Sequence, residues 1–496
     1  MNQPSSGRSQ RTHLRDLAVA AMRARGLEPA FPAAALAQAD ALTTSPQTTE
    51  EPVRDLRNLL WCSIDNDDSR DLDQLSVAEV LGAGRGQSAD VKVLVAIADV
   101  DAGVPKGSPI DRHAALNTVS VYTAAVIFPM LPEKLSTNLT SLADQQERLS
   151  VVIECVIAPD GTLKSSDLYG ARVLNRAKLA YNSVGAWLAG TGPLPASAAS
   201  VAGMDEQLKL QDRVAQAIAA QRHEHGALEF STIEVRATFD GDRVRDLQSE
   251  LPNRAKQLIE NLMIAANGAA SRFLEKRGVA SIRRVVKTPK HWDRIVGLAA
   301  ETGDRLPAQA DPRALQAFLT KRRAADPDRF PDLSQNIIRM LGSGEYVVVR
   351  PGGDSPGHFG LAVRDYTHST APNRRYPDLL TQRLVKAALA GHAQPYAVGD
   401  LEQLAAHCTL QEDNAEKVER QIRKSAAAMV VSSRIGEEFD AIVTAALPKG
   451  TFVRVFSPPI EGMLVRGQQQ LDIGDRLRVR LTRTDVDKGF IDFERA

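Results

Sequence analysis

The 496-residue sequence is poor in cysteine and in aromatic residues, and it carries no excess of either charge. Its three cysteines lie far apart and form no CxxC pair, which argues against a disulfide framework or a zinc ribbon and favours a reducing compartment. No stretch approaches the ~18 consecutive apolar residues of a membrane span, and the polar N-terminus lacks the apolar segment of a secretion signal. We therefore expect a cytoplasmic protein that does not enter a membrane.

The balance of charge restricts how nucleic acid could bind. Lysine and arginine together number 61, and so do aspartate and glutamate. Proteins that bind nucleic acid are usually basic, so a positive surface on this chain has to be local. Acidic residues elsewhere, such as an aspartate-rich metal site, would cancel its charge.

The order of apolar and polar residues predicts a multidomain protein. Residues 1–52 contain two stretches of helical spacing, which indicate a small helical domain, with a helix-turn-helix or winged-helix module as one interpretation. Residues 53–391 alternate strand-like and helix-like runs without a clear linker, as in a large α+β body. We expect a connecting helix within 392–433, and five short strands in 434–496 indicate a small all-β barrel.

The acidic run DNDDSRDLD, residues 65–73, is the first candidate site. Asp65 ends a predicted strand, and a period of two puts Asp71 and Asp73 on the same side of the chain. If these three carboxylates converge, their repulsion calls for a cation, and hard oxygen ligands suit Mg²⁺ or Mn²⁺. An EF-hand calcium loop starting at Asp65 would need glycine at position 70 and glutamate at position 76, where the sequence has arginine and serine. A solvated acidic loop is the structural alternative.

An arginine-containing segment, DYTHSTAPNRRYPD at residues 365–378, precedes a predicted helix. With Thr370 as the expected N-cap, Arg374 and Arg375 lie in the first turn, beside backbone N–H groups that favour an anion. The planar guanidinium group also matches the geometry of a phosphate. The alternative is that both arginines pair with surface carboxylates.

These two segments, taken with three others, resemble the ribonuclease II / ribonuclease R family, whose catalytic domain is called RNB. The other stretches, in order along the chain, are IFPMLP at 127–132, LIENLMIAAN at 258–267 and HFGL at 358–361. The final strands resemble the S1-type RNA-binding OB fold through GTFV at 450–453 and EG at 461–462. The resemblance implies an α+β RNB catalytic domain over 53–391 and an S1 barrel over 434–496.

The resemblance implies hydrolytic 3′→5′ exoribonuclease activity that releases 5′-mononucleotides, with Mg²⁺ as the cofactor and Mn²⁺ as an alternative. Asp65, Asp71 and Asp73 fall on the catalytic, metal-binding aspartates of the family, and Arg374 falls on its catalytic arginine. Gln74 stands where the family has a further metal-binding carboxylate. A glutamine oxygen can coordinate a metal ion but brings no charge, so we expect a lower metal affinity.

The resemblance also implies contacts with RNA. Tyr122 and Phe230 fall where the family stacks aromatic residues on the terminal bases, and Glu260 and Glu419 fall where it contacts the 3′ ribose. Stacking ignores base identity, and contacts to the 2′-hydroxyl separate RNA from DNA. The candidate RNA-binding residues are Tyr122, Phe230, Glu260, Glu419, Arg375 and Phe452. We expect the partner to be RNA with a single-stranded 3′ end, bound by a monomer.

Two departures from the family keep other functions open. Because Gln74 replaces a carboxylate, one alternative is a catalytically inactive RNA-binding protein with the RNB fold. Residues 1–52 are too few for the two cold-shock domains that members commonly carry, so we expect a more open entrance and a greater tolerance of duplex RNA beside a short 3′ tail. A third function, a DNA-binding regulator built on the N-terminal helices, has few basic residues to support it.

Overall fold

A computed structural model describes residues 9–47, 49, 52–82, 89–232, 234–250, 253–447, 450–471 and 473–496. Residues 1–8, 48, 50 and 51 of the predicted N-terminal domain lie outside the described residues. The helices are α1 (Gln10–Arg23), α2 (Ala33–Ala41), α3 (Pro109–Asn117), α4 (Tyr181–Leu188), α5 (Ala196–Ala199), α6 (Met204–Glu224), α7 (Arg254–Lys276), α8 (Trp292–Glu301), α9 (Pro312–Ala325), α10 (Phe330–Leu341), α11 (Tyr376–Ala390) and α12 (Val398–Val431). The strands are β1 (Val53–Asp55), β2 (Cys62–Asp65), β3 (Gln74–Val80), β4 (Val91–Ala98), β5 (Val121–Tyr122), β6 (Ile127–Phe128), β7 (Glu147–Ile157), β8 (Leu163–Leu174), β9 (Ala177–Ala180), β10 (Glu234–Asp240), β11 (Arg243–Glu250), β12 (Ser281–Val285), β13 (Glu345–Val349), β14 (Glu438–Leu447), β15 (Gly450–Val455), β16 (Ile460–Arg466), β17 (Arg476–Asp485) and β18 (Phe490–Arg495).

The two predicted N-terminal helices are present, and each packs on a different neighbour. α1 buries Leu14, Ala18 and Met22, which recur at helical spacing, in a cluster with apolar residues of the long helix α12. α2 packs on α3 instead. The described part of this region therefore packs on the body of the protein through α12 and α3.

The main sheet has the strand order β1-β8-β7-β4-β3-β2-β9. The β1–β8 and β2–β9 pairs are parallel and the other pairs are antiparallel. α7 packs across β2, β4, β7 and β8 and closes the main hydrophobic core. In this order β2 and β3 are neighbours, and the acidic run connects them in the sequence.

The helix α11 is held in place by buried ion pairs as well as by apolar contacts. From Tyr376 to Lys386 every residue of the helix is buried. Arg383, which is 3% exposed, donates to Asp101 at 2.8 Å and to Asp111 at 2.8 Å. Charges removed from water in this way are stable only when they are paired and hydrogen-bonded. Tyr376, the first residue of the helix, also donates its hydroxyl to Asp111 at 3.1 Å, so these contacts hold both the middle and the start of α11.

The last five strands form a closed barrel of order β14-β15-β16-β18-β17, as the sequence predicted. Gly462 lies inside β16, where a Cβ atom would come 2.6 Å from the carbonyl oxygen of Ile491. Arg454 forms two hydrogen bonds with Asp332 of α10, at 2.9 and 3.2 Å, and so joins the barrel to the body. The α+β body, the helical N-terminal unit and the all-β barrel confirm the predicted fold class. Among the described residues, no helix combines the length and the apolar character that crossing a membrane requires.

Candidate active site

The acidic run is anchored at its centre rather than solvated throughout. Leu72 is buried, and its N–H donates to the hydroxyl of Ser141 at 3.0 Å while its carbonyl accepts the N–H of Leu142 at 2.9 Å. The Ser141 hydroxyl in turn donates to the carbonyl of Arg70 at 2.8 Å. With Leu72 fixed, the carboxylates of Asp71 and Asp73 on either side of it have defined positions.

Asp73 is the most buried carboxylate of the run, at 2% exposed. Its Oδ1 accepts the backbone N–H of Asn373 at 2.9 Å, and its Oδ2 accepts Nε–H of Arg374 at 3.2 Å. Burial raises the pKa of the Asp73 carboxyl to about 7, against the opposing effects of Arg374 and the Asn373 amide. Arg374 keeps 41% of its side chain exposed.

The loop before α11 is shaped by Asp378 and not by the predicted cap. The helix begins at Tyr376, so Arg374 and Arg375 precede it, and Thr370 does not cap it. Oδ1 of the fully buried Asp378 accepts the N–H groups of Thr370 and Ala371 at 2.7 and 2.8 Å, and it accepts the guanidinium of Arg375 at 2.7 Å. Arg375 is thereby paired within the loop and is 20% exposed, and its contact with RNA stays a prediction.

Asp71 contacts a different partner. Its Oδ2 accepts the hydroxyl of Tyr122 at 3.1 Å, and the backbone N–H of Tyr122 donates to Oε1 of Glu419 on α12 at 2.8 Å. Burial raises the pKa of the Glu419 carboxyl. Hydrogen bonds therefore link Asp71, Tyr122 and Glu419, which the sequence predicted separately as site residues.

Asp65, at the end of β2, accepts the N–H of Asn66 at 2.7 Å and the hydroxyl of Ser69 at 2.9 Å. Burial raises the pKa of its carboxyl; these hydrogen bonds and Arg374 oppose the rise, and Asp71 adds to it. Asp65 thus lies within the electrostatic reach of both Asp71 and Arg374.

The convergence of Asp65, Asp71 and Asp73 on one metal ion stays a prediction. Within the residues that the structure describes, no group of three or more His, Cys, Asp or Glu side chains is arranged to hold a metal ion. Asp73 is drawn instead to Arg374 and the Asn373 amide. Mg²⁺ is commonly held by one or two carboxylates together with water and substrate phosphates, so Asp65 and Asp71 still form a suitable pair.

Gln74 is the first residue of β3 and pairs with Ile97 of β4. Alternation along the strand directs its side chain to the face opposite Asp73. β2 and β3 pair only at Cys62 and Ser76, so the two strands separate toward Asp65 and Gln74. The Gln74 side chain is half-buried.

The other predicted RNA-binding residues lie in two further places. Phe230 and Glu260 line one cavity of about 700 Å³, which is also lined by Arg222 and Asn261. Neither the three aspartates nor Arg374 lines this cavity. Phe452 lies on β15 of the barrel, opposite Met463. The structure therefore brings Tyr122 and Glu419 to the carboxylates and keeps these three residues outside that cluster.

Sequence reasoning missed the supports of the site. Oδ1 of Asn373 accepts the hydroxyl of Thr140 at 2.6 Å, and its backbone N–H is the one that binds Asp73. Its Nδ2 is buried without a partner in the described residues. No local pattern in the sequence pointed to Asn373, whereas Asp378 carried one signal, an acidic residue in a first helical turn.

Comparison with known proteins identifies both predicted regions. The RNB domain family matches residues 53–391, and the RNase II-type exonuclease C-terminal S1 domain matches residues 437–496. Ribonuclease R of Escherichia coli K12 is 30% identical over 474 residues, which cover 88% of this chain and 57% of that protein. This chain thus spans little more than half the length of that relative.

Two solved structures share the fold at low sequence identity. The apo form of Mycoplasma genitalium RNase R matches with a TM-score of 0.85 and 23% identity, over 97% of this chain and 78% of that one. The same enzyme in complex with double-stranded RNA matches with a TM-score of 0.84 and 24% identity, over 97% and 83% of the two chains. At this level of identity the likeness establishes the fold alone.

The substitution Asp378→Ala tests whether buried pairing supports the arginine-containing loop. It leaves the guanidinium of Arg375 buried without its carboxylate, so we expect a loss of about 3–5 kcal/mol in the free energy of unfolding, measured by urea titration. The control is Asp400→Ala, which removes an exposed aspartate from the first turn of α12 and should cost about 0.3–1 kcal/mol. Equal losses in the two variants would contradict this account of the loop.

Proposed function

Because the chain belongs to the RNB family, whose nucleases are in general metal-dependent, we propose that it hydrolyses RNA from the 3′ end and releases 5′-mononucleotides. The observation that carries the proposal is the pairing of buried Asp73 with a partly exposed Arg374 beside Asp71 and Asp65. We also propose that it acts as a monomer in the cytoplasm on RNA with a single-stranded 3′ end.

Arg374 is the group that meets the scissile phosphate. Asp73 occupies its Nε edge, which sets the plane of the guanidinium and leaves the two terminal amino groups to donate to phosphate oxygens. Negative charge builds on these oxygens as water attacks phosphorus, and a fixed positive group stabilises that charge more in the transition state than in the ground state. Asp73 is thus catalytic through its hold on Arg374, and both of its oxygens are already engaged.

Asp65 and Asp71 are the residues that would hold Mg²⁺ or Mn²⁺, with the oxygen of Gln74 as a neutral third ligand. Such an ion, when bound, polarises a phosphate oxygen and lowers the pKa of a bound water. Both carboxylates retain oxygen atoms outside the hydrogen bonds to Ser69 and Tyr122. Their partial burial strengthens the attraction for a cation, since charges in a poorly hydrated place interact more strongly.

The remaining residues bind the RNA chain. Tyr122 and Phe230 offer rings to terminal bases, and Glu260 and Glu419 offer carboxylates to the hydroxyl groups of the 3′ ribose. Glu419 also holds the backbone of Tyr122, so the ribose and base contacts at this position are coupled. Phe452 supplies a contact on the barrel, where several neighbouring arginines are already paired with carboxylates such as Asp332 and Glu438.

The direct test is to incubate uniformly labelled poly(A) with the protein and Mg²⁺ or Mn²⁺. We expect stepwise shortening with release of 5′-mononucleotides, and a rate about 100-fold lower for Asp73→Asn, because Arg374 loses its anionic partner. RNA binding should persist in this variant. Asp167→Asn, at an exposed ion pair with Arg54, is the control and should retain the full rate.

Two results of this assay would contradict the proposal. Internal fragments without mononucleotides would indicate an endonuclease. Binding without any release, in either metal, would support the alternative of a catalytically inactive RNA-binding protein, for which Gln74 is the motivating residue.

A second prediction concerns Gln74 itself. Gln74→Asp adds a carboxylate directly after Asp73 in the sequence, so the Mg²⁺ concentration at half-maximal rate should fall by about tenfold, since ligand charge tunes the affinity of such sites. Gln403→Asp, at an exposed position of α12, is the control and should leave that concentration unchanged. An unchanged Mg²⁺ dependence in Gln74→Asp would remove Gln74 from the metal site.

A further inference from the structure

The short hairpin of β5 and β6 stands at the edge of the candidate site. Thr123 and Val126 close its turn, with the Thr123 hydroxyl donating to the Val126 carbonyl at 2.6 Å and the Val126 N–H donating back to that hydroxyl at 3.1 Å. One face of the hairpin, Val121 and Phe128, is buried in the cluster that α1 and α12 form. The hairpin is therefore held firmly from behind.

The opposite face of the hairpin carries two large apolar side chains. Tyr122 and Ile127 are directly paired across the ladder, so their side chains are neighbours on the same face. Tyr122 is 39% exposed and Ile127 is 54% exposed. A single exposed apolar residue needs no explanation, but Ile127 lies beside the exposed ring of Tyr122 on a rigid hairpin.

The position of Tyr122 and Ile127 indicates which ligand would cover their exposed side chains. The Tyr122 hydroxyl donates to Asp71. Burial and the negative charges of Asp71 and Asp73 raise the pKa of this hydroxyl, and Arg374 opposes the rise. The ring therefore lies against the charged cluster, and Ile127 extends the same surface away from it. An RNA chain whose phosphate reaches Arg374 would bring its bases past this surface.

We propose that Ile127 is a further RNA-contacting residue, which forms with Tyr122 an apolar shelf for a base near the 3′ end. The inference rests on the proposed function for the identity of its ligand. Isoleucine has no hydrogen-bonding group, so it contacts the face of any base by dispersion and exclusion of water, without selecting a sequence. The shelf lengthens the stacking surface beyond the ring of Tyr122 and should raise affinity without affecting the chemical step.

The test compares Ile127→Ala with Ile435→Ala, which removes an isoleucine of matched exposure, 55%, before the barrel. Binding of fluorescein-labelled single-stranded RNA is measured in EDTA, where no cleavage occurs, and KM and kcat are measured in Mg²⁺. We expect Ile127→Ala to bind about tenfold more weakly, the scale of losing a few buried carbon atoms, with a higher KM and an unchanged kcat. Ile435→Ala should match the wild type, and Ile127→Met should restore binding.

RNA with a single abasic nucleotide at the first, second or third position from the 3′ end locates the contact. At one of these positions the missing base should weaken binding to the wild type more than it weakens binding to Ile127→Ala, in which only the contact with Tyr122 is left to lose. Unchanged affinity of Ile127→Ala, or an equal loss in Ile435→Ala, overturns the shelf.

Failure of the shelf and failure of the proposed function are distinguishable. If the wild type binds RNA but releases no mononucleotide, the nuclease proposal fails, and the binding comparison in EDTA still decides for or against the shelf. If the wild type does not bind single-stranded RNA, both are overturned.

Discussion

The pairing of Asp73 with Arg374 is the interaction on which the candidate site depends. It joins two segments 301 residues apart in the sequence, the acidic run before β3 and the loop before α11. A carboxylate that is 2% exposed is costly unless it is matched by hydrogen bonds and opposite charge. Arg374 supplies the opposite charge and a hydrogen bond, and the N–H of Asn373 supplies a second hydrogen bond. The two loops are therefore held in one relative position.

That geometry is maintained by a surrounding layer of buried polar contacts. Ser141 fixes Leu72 on one side of Asp73, and Asp378 gathers the loop that carries Arg374 on the other. Thr140, in the segment that follows IFPMLP, donates its hydroxyl to the side chain of Asn373. This segment therefore also supports the hydrogen bond between Asn373 and Asp73. A site built in this way keeps its charged groups in place before substrate arrives, which is the condition for electrostatic stabilisation of a transition state.

Much of this arrangement could be predicted from the sequence, and the failures have physical causes. The helices α1, α2 and α12 and the barrel strands follow from local periodicity, and the ordered motifs nominated Asp73 and Arg374. Whether three carboxylates meet at one point depends on partners distant in sequence, and no local pattern shows that Asp73 is drawn to Arg374 while Asp71 is drawn to Tyr122. The pairing of Arg375 within the loop follows from a buried carboxylate, Asp378, whose burial depends on the packing of α11.

The most direct test of the central claim is a double-mutant cycle on the rate of mononucleotide release in a single turnover. The variants are Asp73→Asn, Arg374→Lys and the double variant, because lysine keeps the charge but lacks the planar fork that Asp73 orients. If Asp73 acts by holding Arg374, the double variant should be about as slow as the slower single variant, since interacting residues are not additive. Rate losses that multiply in the double variant would contradict the account and assign the two residues independent roles.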